Sequence, residues 1–379
     1  MAAQTSLRYQ KKSLRLQRDF LEIWAKSSKR IQPDNLESES LLENEENMKT
    51  KTLVLIFFFI TMISNTLIAG ELEERAAIDE RVAFLLSSKN YKELENLAQE
   101  YRVNKSRTPS GTWKLTHFYY GINDKSANLD IEDENYWKTI KLRTEAWTKE
   151  YPKSPSPYIA HGIVMKQYAW KFRGGGFANT VPKEAWQPFR EHLINAKAFL
   201  EKHKKIASLD PHWYEVMADI ATGLNVNRSE FQKIIDEGLK KEPLYYQLYF
   251  AAIHYFAPKW HGNAEDIEEF ADSAVARTKD QEGLGMYARI YWSASQYQYG
   301  EGLFIDSNVV WDKMKKGIDD VLKRYPDQWN INNFALFACL AKDKQKAKEL
   351  LDLIKEPPVL RVWKSESRYL RYKSWAYGQ

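Results

Sequence analysis

From about residue 205 onward, apolar residues recur at spacings of 0, 3, 4, 7 and 8, segment after segment. That period aligns one face of an α-helix every turn, and no comparable stretch alternates with the period of two that a half-buried strand needs. The stripes run through Trp213, Val216, Met217, Ile220, Ala221 and Leu224, then Phe231, Ile234, Ile235 and Leu239. They continue through Tyr245, Leu248, Tyr249, Ala252, Ile253 and Phe256, then Ile267, Phe270, Ala271, Ala274 and Val275. Leu284, Tyr287, Ala288, Tyr291 and Trp292 follow; Ile331 to Cys339 and Ala347 to Ile354 close the series. The chain is therefore expected to be all-α.

Boundary residues agree with the stripes. Ser229 with Gln232 is expected to form a capping box, Asn263 to cap the helix carrying Ile267, and Pro258 to end the helix before it. Pro211 and Pro243 are expected in first turns, where proline's missing N–H costs nothing. An opening phrase is reused: Asp210-Pro211-His212-Trp213-Tyr214, Glu242-Pro243-Leu244-Tyr245-Tyr246 and Tyr325-Pro326-Asp327-Gln328-Trp329. Trp213 to Tyr245 is 32 residues and Ser229 to Asn263 is 34, close to the two-helix period of tetratricopeptide repeats. One helical pair cannot bury both its apolar faces, so neighbours are expected to stack into an α-solenoid with a concave side.

Residues 71–204 read as a less regular N-terminal helical region and residues 205–379 as the repeat region. In the first, Val82 to Leu97 suggests a hairpin, and Trp113 to Ile122 a further helix. Asn123 to Glu134 reads as a polar loop, Tyr136 to Tyr151 and Tyr158 to Phe172 as a helical pair, and Val181 to Leu200 as one long helix.

Upstream, Lys49 and Lys51 precede an apolar run from Leu53 to Ile63, followed by Ser64, Asn65, Thr66, Ala69 and Gly70. A charged start, a short apolar middle and a small-residue end make residues 48–70 a secretory signal peptide in outline. Residues 1–47, with eight basic and eight acidic side chains, do not belong in front of one. Either translation begins at Met48, or the extension is real and residues 53–69 form an uncleaved membrane anchor with the N-terminus in the cytoplasm. Both readings place residues 71–379 outside the cytoplasm, in the periplasm or beyond. The net charge is +5 over 379 residues, too small for a nucleic-acid binder that relies on bulk positive charge. A single cysteine, Cys339, excludes an intrachain disulfide and a cysteine-rich zinc site.

Several ordered phrases carry a resemblance: Trp113-Lys114-Leu115 with Phe118-Tyr119, Arg173-Gly174-Gly175-Gly176-Phe177-Ala178, Trp213-Tyr214, Pro258-Lys259-Trp260-His261-Gly262 and Tyr287-Ala288-Arg289-Ile290-Tyr291-Trp292. Across residues 84–340 the chain resembles a family of exported bacterial proteins known only as a domain of unknown function. The resemblance implies a helical, tetratricopeptide-like protein outside the cytoplasm and supplies no reaction.

Candidate binding residues are four. Arg173 precedes three glycines that would expose backbone N–H groups to an anion, although a tight interhelical turn explains them as well. Lys259, Trp260 and His261 share one loop, where the indole offers a flat face to a peptide or sugar. The seven histidines include no pair four residues apart, the spacing a helical zinc site uses, and no metal or cofactor is expected. Glu265, Asp266, Glu268 and Glu269 read as a solvated first turn. The last segment interleaves Arg361, Lys364, Arg368, Arg371 and Lys373 with Trp and Tyr, suited either to an anionic polymer or to closing the array's end. Aromatic residues number 46 in residues 71–379. The leading expectation is a cell-envelope scaffold binding a protein or peptide partner; an enzyme with a dispersed site and a small-molecule binder are the alternatives.

Overall fold

The computed structural model describes residues 70–122, 134–176 and 178–378. Residues 1–47, the export segment apart from Gly70, and the polar stretch from Asn123 to Asp133 lie outside these. The described residues are all-helical and contain no strand; Arg107 and Trp113 make an isolated bridge.

The main helices are α1 (Glu71–Ser87), α2 (Tyr91–Asn104), α3 (Lys114–Gly121), α4 (Glu134–Glu150), α5 (Ser156–Arg173), α6 (Trp186–Lys202), α7 (His212–Leu224) and α8 (Arg228–Lys241). They continue as α9 (Tyr246–Phe256), α10 (Ala264–Glu282), α11 (Gly285–Ala294), α12 (Trp311–Arg324), α13 (Gln328–Leu340), α14 (Lys344–Asp352) and α15 (Glu366–Tyr377). Every stripe read from the sequence lies within or across one of these helices. Their apolar faces share one continuous core, anchored by fully buried Trp113, Trp147 and Trp363. Each such large side chain contributes upwards of about 1.5–3 kcal/mol by leaving water.

Three boundaries differ from the sequence reading. Asn227, not Ser229, caps α8: its side chain accepts from the Glu230 N–H, two residues before the expected box. Pro243 stands ahead of α9, which begins at Tyr246, so it is a turn residue rather than a first-turn one. Val181 to Leu200 is not one helix; a 3₁₀ turn at Lys183–Ala185 precedes α6, because Pro182 cannot donate into a continuing helix. Asn263 does cap α10, with the full capping box to Asp266. The structure also adds α12, whose close approach to α11 depends on Gly317: a Cβ there would lie 2.5 Å from the Leu284 carbonyl oxygen.

Most helices pack on their sequence neighbours, but α1 also reaches α13, so the array curls back on itself. The loop before α3 closes the curl. Its Ser110 carbonyl accepts from Arg289 of α11 at 2.8 Å and from Asn330 of α13 at 3.1 Å, while Glu71 of α1 accepts from the Ser110 N–H at 2.7 Å. Gly111 turns at φ +95° between the Arg289 and Tyr325 side chains, where a Cβ would be strained by the backbone and would displace both neighbours. Long-range bonds of this kind bind residues 71–204 to residues 205–379 within one compact unit.

Candidate functional site

Curling leaves two adjoining chambers, which share a wall of Tyr120, Gln247, Phe250 and Tyr297. The outer chamber has a volume of about 560 Å³ and the inner about 210 Å³. The outer one alone falls within the range of small-molecule sites, about 300–1,000 Å³.

Charged residues planted on buried helices build the inner chamber. Glu215 and Asp219 stand four residues apart on α7, which places both on one face, and Lys166 of α5 meets Asp219 at 2.6 Å. Burial alone would lower the Lys166 ammonium, but Asp219 and then Glu215 hold it above its ordinary value. Burial first, and the neighbouring Asp219 charge second, push the Glu215 carboxyl up to about 8, so it is a neutral acid at pH 7. His212 Nε2 approaches Glu215 Oε2 at 3.3 Å without hydrogen-bond alignment, leaving that oxygen with no internal partner. Burial, and next the Lys166 charge, hold His212 well below the usual histidine range, hence neutral. Thr116 donates to the Tyr245 hydroxyl at 3.2 Å, which leaves the Tyr245 proton to be assigned to His212 Nδ1, 2.7 Å away. That assignment puts the single imidazole proton on Nε2, facing Glu215.

Beneath this lies a supporting network. Tyr119 stacks on His212 with ring centres 4.2 Å apart, and its hydroxyl donates to Asp210 at 2.7 Å. Asp210 also accepts from Arg102 Nε at 2.8 Å and from the His212 N–H at 2.9 Å. The inner chamber's geometry therefore hangs on a buried carboxylate at the entry to α7.

Aromatic faces beside amides and hydroxyls line the outer chamber. Trp292 and Trp329 stand there with Gln296, Asn333 and Ser293. Ser295 to Tyr299 forms a single π-helical turn, a distortion frequent at functional sites, and it delivers Gln296 and Tyr297 to the wall. Tyr120 and Tyr297 keep 40% and 41% of their surface accessible, although most large aromatics here are buried. Burial and the Asp219 and Glu215 charges push the Tyr297 hydroxyl up to about 12.

The four residues singled out from sequence sit elsewhere, and only partly together. Arg173 and Trp260 do meet: the guanidinium lies 5.1, 5.4 and 5.5 Å from the ring centres of Trp170, Trp186 and Trp260. Its Nη1 donates to the carbonyls of Gly174 and Gly176, so it braces the glycine turn through them. His261 points its ring toward the Thr222 carbonyl, 3.4 Å away, and against Tyr255. Lys259 donates to the Tyr297 carbonyl, behind the shared wall of the chambers. None of the four lines either chamber. Of the seven histidines, His212 and His254 line the inner chamber. The acidic first turn of α10 is less solvated than its composition implies: Asp266 is buried, and Glu268 accepts from the hydroxyls of Tyr287 and Tyr291. The basic C-terminal segment closes the array, α15 packing on α14, and also turns Arg361, Lys364 and Arg368 to the outer chamber.

No family model, curated protein or solved structure matches this chain. Among the described residues, no helix is long and apolar enough to cross a membrane.

Proposed function

We propose that the protein is a tetratricopeptide-like α-solenoid whose chambers bind a small, polar, ring-bearing molecule of saccharide type. One observation carries this reading. Of fourteen buried side-chain polar atoms without an internal partner among the described residues, seven belong to chamber-lining residues: His117, Glu215, His254, Ser293 and Arg368. Each such group costs about 1–3 kcal/mol if nothing satisfies it, so their clustering around the two adjoining chambers marks a place built for a polar occupant. Flat aromatic faces beside amides and hydroxyls suit the alternating apolar and hydroxylated surface of a sugar ring. The repeat assignment is supported by α7 and α9 beginning 34 residues apart, at His212 and Tyr246. The order of charged, apolar and small residues at 48–70 supports export, as does the family resemblance. Most of the aromatic surplus lies in the core, which leaves the peptide-scaffold reading with less surface to act through.

A second reading has its own observation: Glu215 lines the inner chamber with Lys166 and His212, and a carboxyl pushed up to about 8 in that company is suited to general-acid chemistry on the same ligand.

Titration of the full chain with mono- and disaccharides, followed by tryptophan emission, tests the ligand reading. At least one sugar is expected to give a saturable change, weakened about tenfold or more in Trp292→Ala. Flat traces across the panel would contradict it.

A further inference from the structure

The outer chamber carries more positive charge than its walls neutralise. Arg75, Arg361, Lys364 and Arg368 line it against a single carboxylate, Glu301. Arg75 is paired with the buried Glu71. Arg361 has no carboxylate partner among the described residues and lays its guanidinium 5.8 Å from the Trp329 ring centre. Arg368 is the deciding residue. Only 8% of it is exposed, yet neither Nη1 nor Nη2 makes an internal hydrogen bond. Glu301 Oε1 stands 3.0 Å from Nη2, close enough for charge attraction but misaligned for a bond. The same carboxylate accepts from Lys364 at 2.9 Å. A guanidinium fork that is desolvated, without internal hydrogen bonds and carried by a residue lining the cavity is matched in geometry to a carboxylate or phosphate, which it can hold through two parallel N–H bonds.

We propose that the outer chamber is an anion site, in which the Arg368 fork, helped by Arg361 and Lys364, binds the carboxylate or phosphate of an acidic, ring-bearing small molecule. The inference rests on the chamber being a ligand site and specifies what its ligand carries. A ring resting against Trp292 or Trp329 would set its acidic substituent toward the basic segment at residues 361–368. Glu301 competes for the same cations, so the ligand's anion takes over contacts that Glu301 makes in its absence. Removing the Arg368 charge and removing the Glu301 charge must then act in opposite directions, an outcome that a purely structural role for either residue does not produce.

Isothermal titration calorimetry of the full chain with glucose, glucuronate, glucose 6-phosphate and inorganic phosphate tests this. At least one of the two acidic sugars is expected to bind about tenfold or more tightly than glucose, and which one does so tells carboxylate from phosphate. Arg368→Gln is expected to remove that advantage, and Glu301→Gln to increase it several-fold. Should Arg368→Gln fail to fold, the exposed Arg361→Gln serves in its place, with an expected weakening of about threefold. Equal binding of glucose and both acids would overturn the anion site while leaving the chamber a ligand site. Binding of inorganic phosphate, weakened in Arg368→Gln, supports the fork without requiring a ring. The absence of heat with all four probes overturns the anion site, and the ligand reading is then judged by tryptophan emission. Unchanged affinity in a folded Arg368→Gln variant, or weakened acid binding in Glu301→Gln, would also overturn it.

Discussion

Asp210→Asn is expected to cost the fold about 3–5 kcal/mol, the largest effect of any single exchange considered. Asp210 is 0% exposed, and it is the carboxylate that neutralises Arg102 and accepts from Tyr119. Asparagine keeps the size and one acceptor oxygen but takes the ion-pair partner from the largely buried Arg102 guanidinium. An uncompensated buried ion is far more costly than the ion pair is favourable. Three parts of the chain are loosened together, since Arg102 belongs to α2, Tyr119 to α3 and Asp210 to the entry of α7. Urea unfolding of the variant should show the loss as a lower midpoint. Lys105→Ala provides the control: its partner Glu242 lies at a similar 2.8 Å, but the lysine is half exposed, and less than about 1 kcal/mol is expected. A loss at Asp210 no greater than the control's would show that the network does not hold the inner chamber in place.

Glu215→Gln is expected to do the opposite, with an effect that grows from almost nothing at low pH to its full size at pH 8 and above. In the folded chain the carboxyl is pushed up to about 8, whereas an unfolded glutamate titrates near 4.3. Between those values the native state holds a proton that the unfolded state has released. Stability therefore falls as pH rises through that window, by up to about 1.4 kcal/mol per unit for this one group. Below about pH 4 both states hold the proton, and the residue no longer weighs on the balance. Glutamine, neutral throughout, removes the penalty: it should stabilise the protein by a few kcal/mol at pH 8 and by close to nothing at pH 4.5. His212 has the reverse sign, because a histidine held neutral in the fold favours the unfolded state once pH drops below about 6.5. Urea midpoints of the two proteins at pH 4.5, 6 and 8 separate these contributions, since the histidine is common to both. A variant destabilised equally at every pH would mean that Glu215 is an ordinary ionised side chain.

The helices were legible because each buries a regular stripe, which leaves a period in the chain whatever the tertiary arrangement. Boundaries were less so: Asn227 and Ser229 can both cap, and only the packed helix decides between them. Helix α12 carries the same helical spacing in Met314, Gly317, Ile318 and Val321, so its stripe too was present in the sequence, set among lysines and aspartates. The chambers could not be read as a motif, because their walls come from α1, α3, α5, α7, α9, α11, α13 and the basic C-terminal segment. A signal was nonetheless present. Lys166, Glu215 and Asp219 interrupt helices whose other faces are largely apolar, and an ionisable group in such a place needs either a partner or a task. The loop phrases around Arg173 and Trp260 are rich in glycine and tryptophan, which the fold uses to brace turns. The basic C-terminal segment was legible as composition, while its turn toward the outer chamber depends on the curl that brings α1 to α13.

Native mass spectrometry of the full chain, incubated with a small-molecule extract of the cells that make it, tests the ligand chamber most directly. The expected spectrum shows a discrete small-molecule adduct on the wild-type chain and little or none on Trp292→Ala. A bare polypeptide mass in both, before and after incubation, would contradict it.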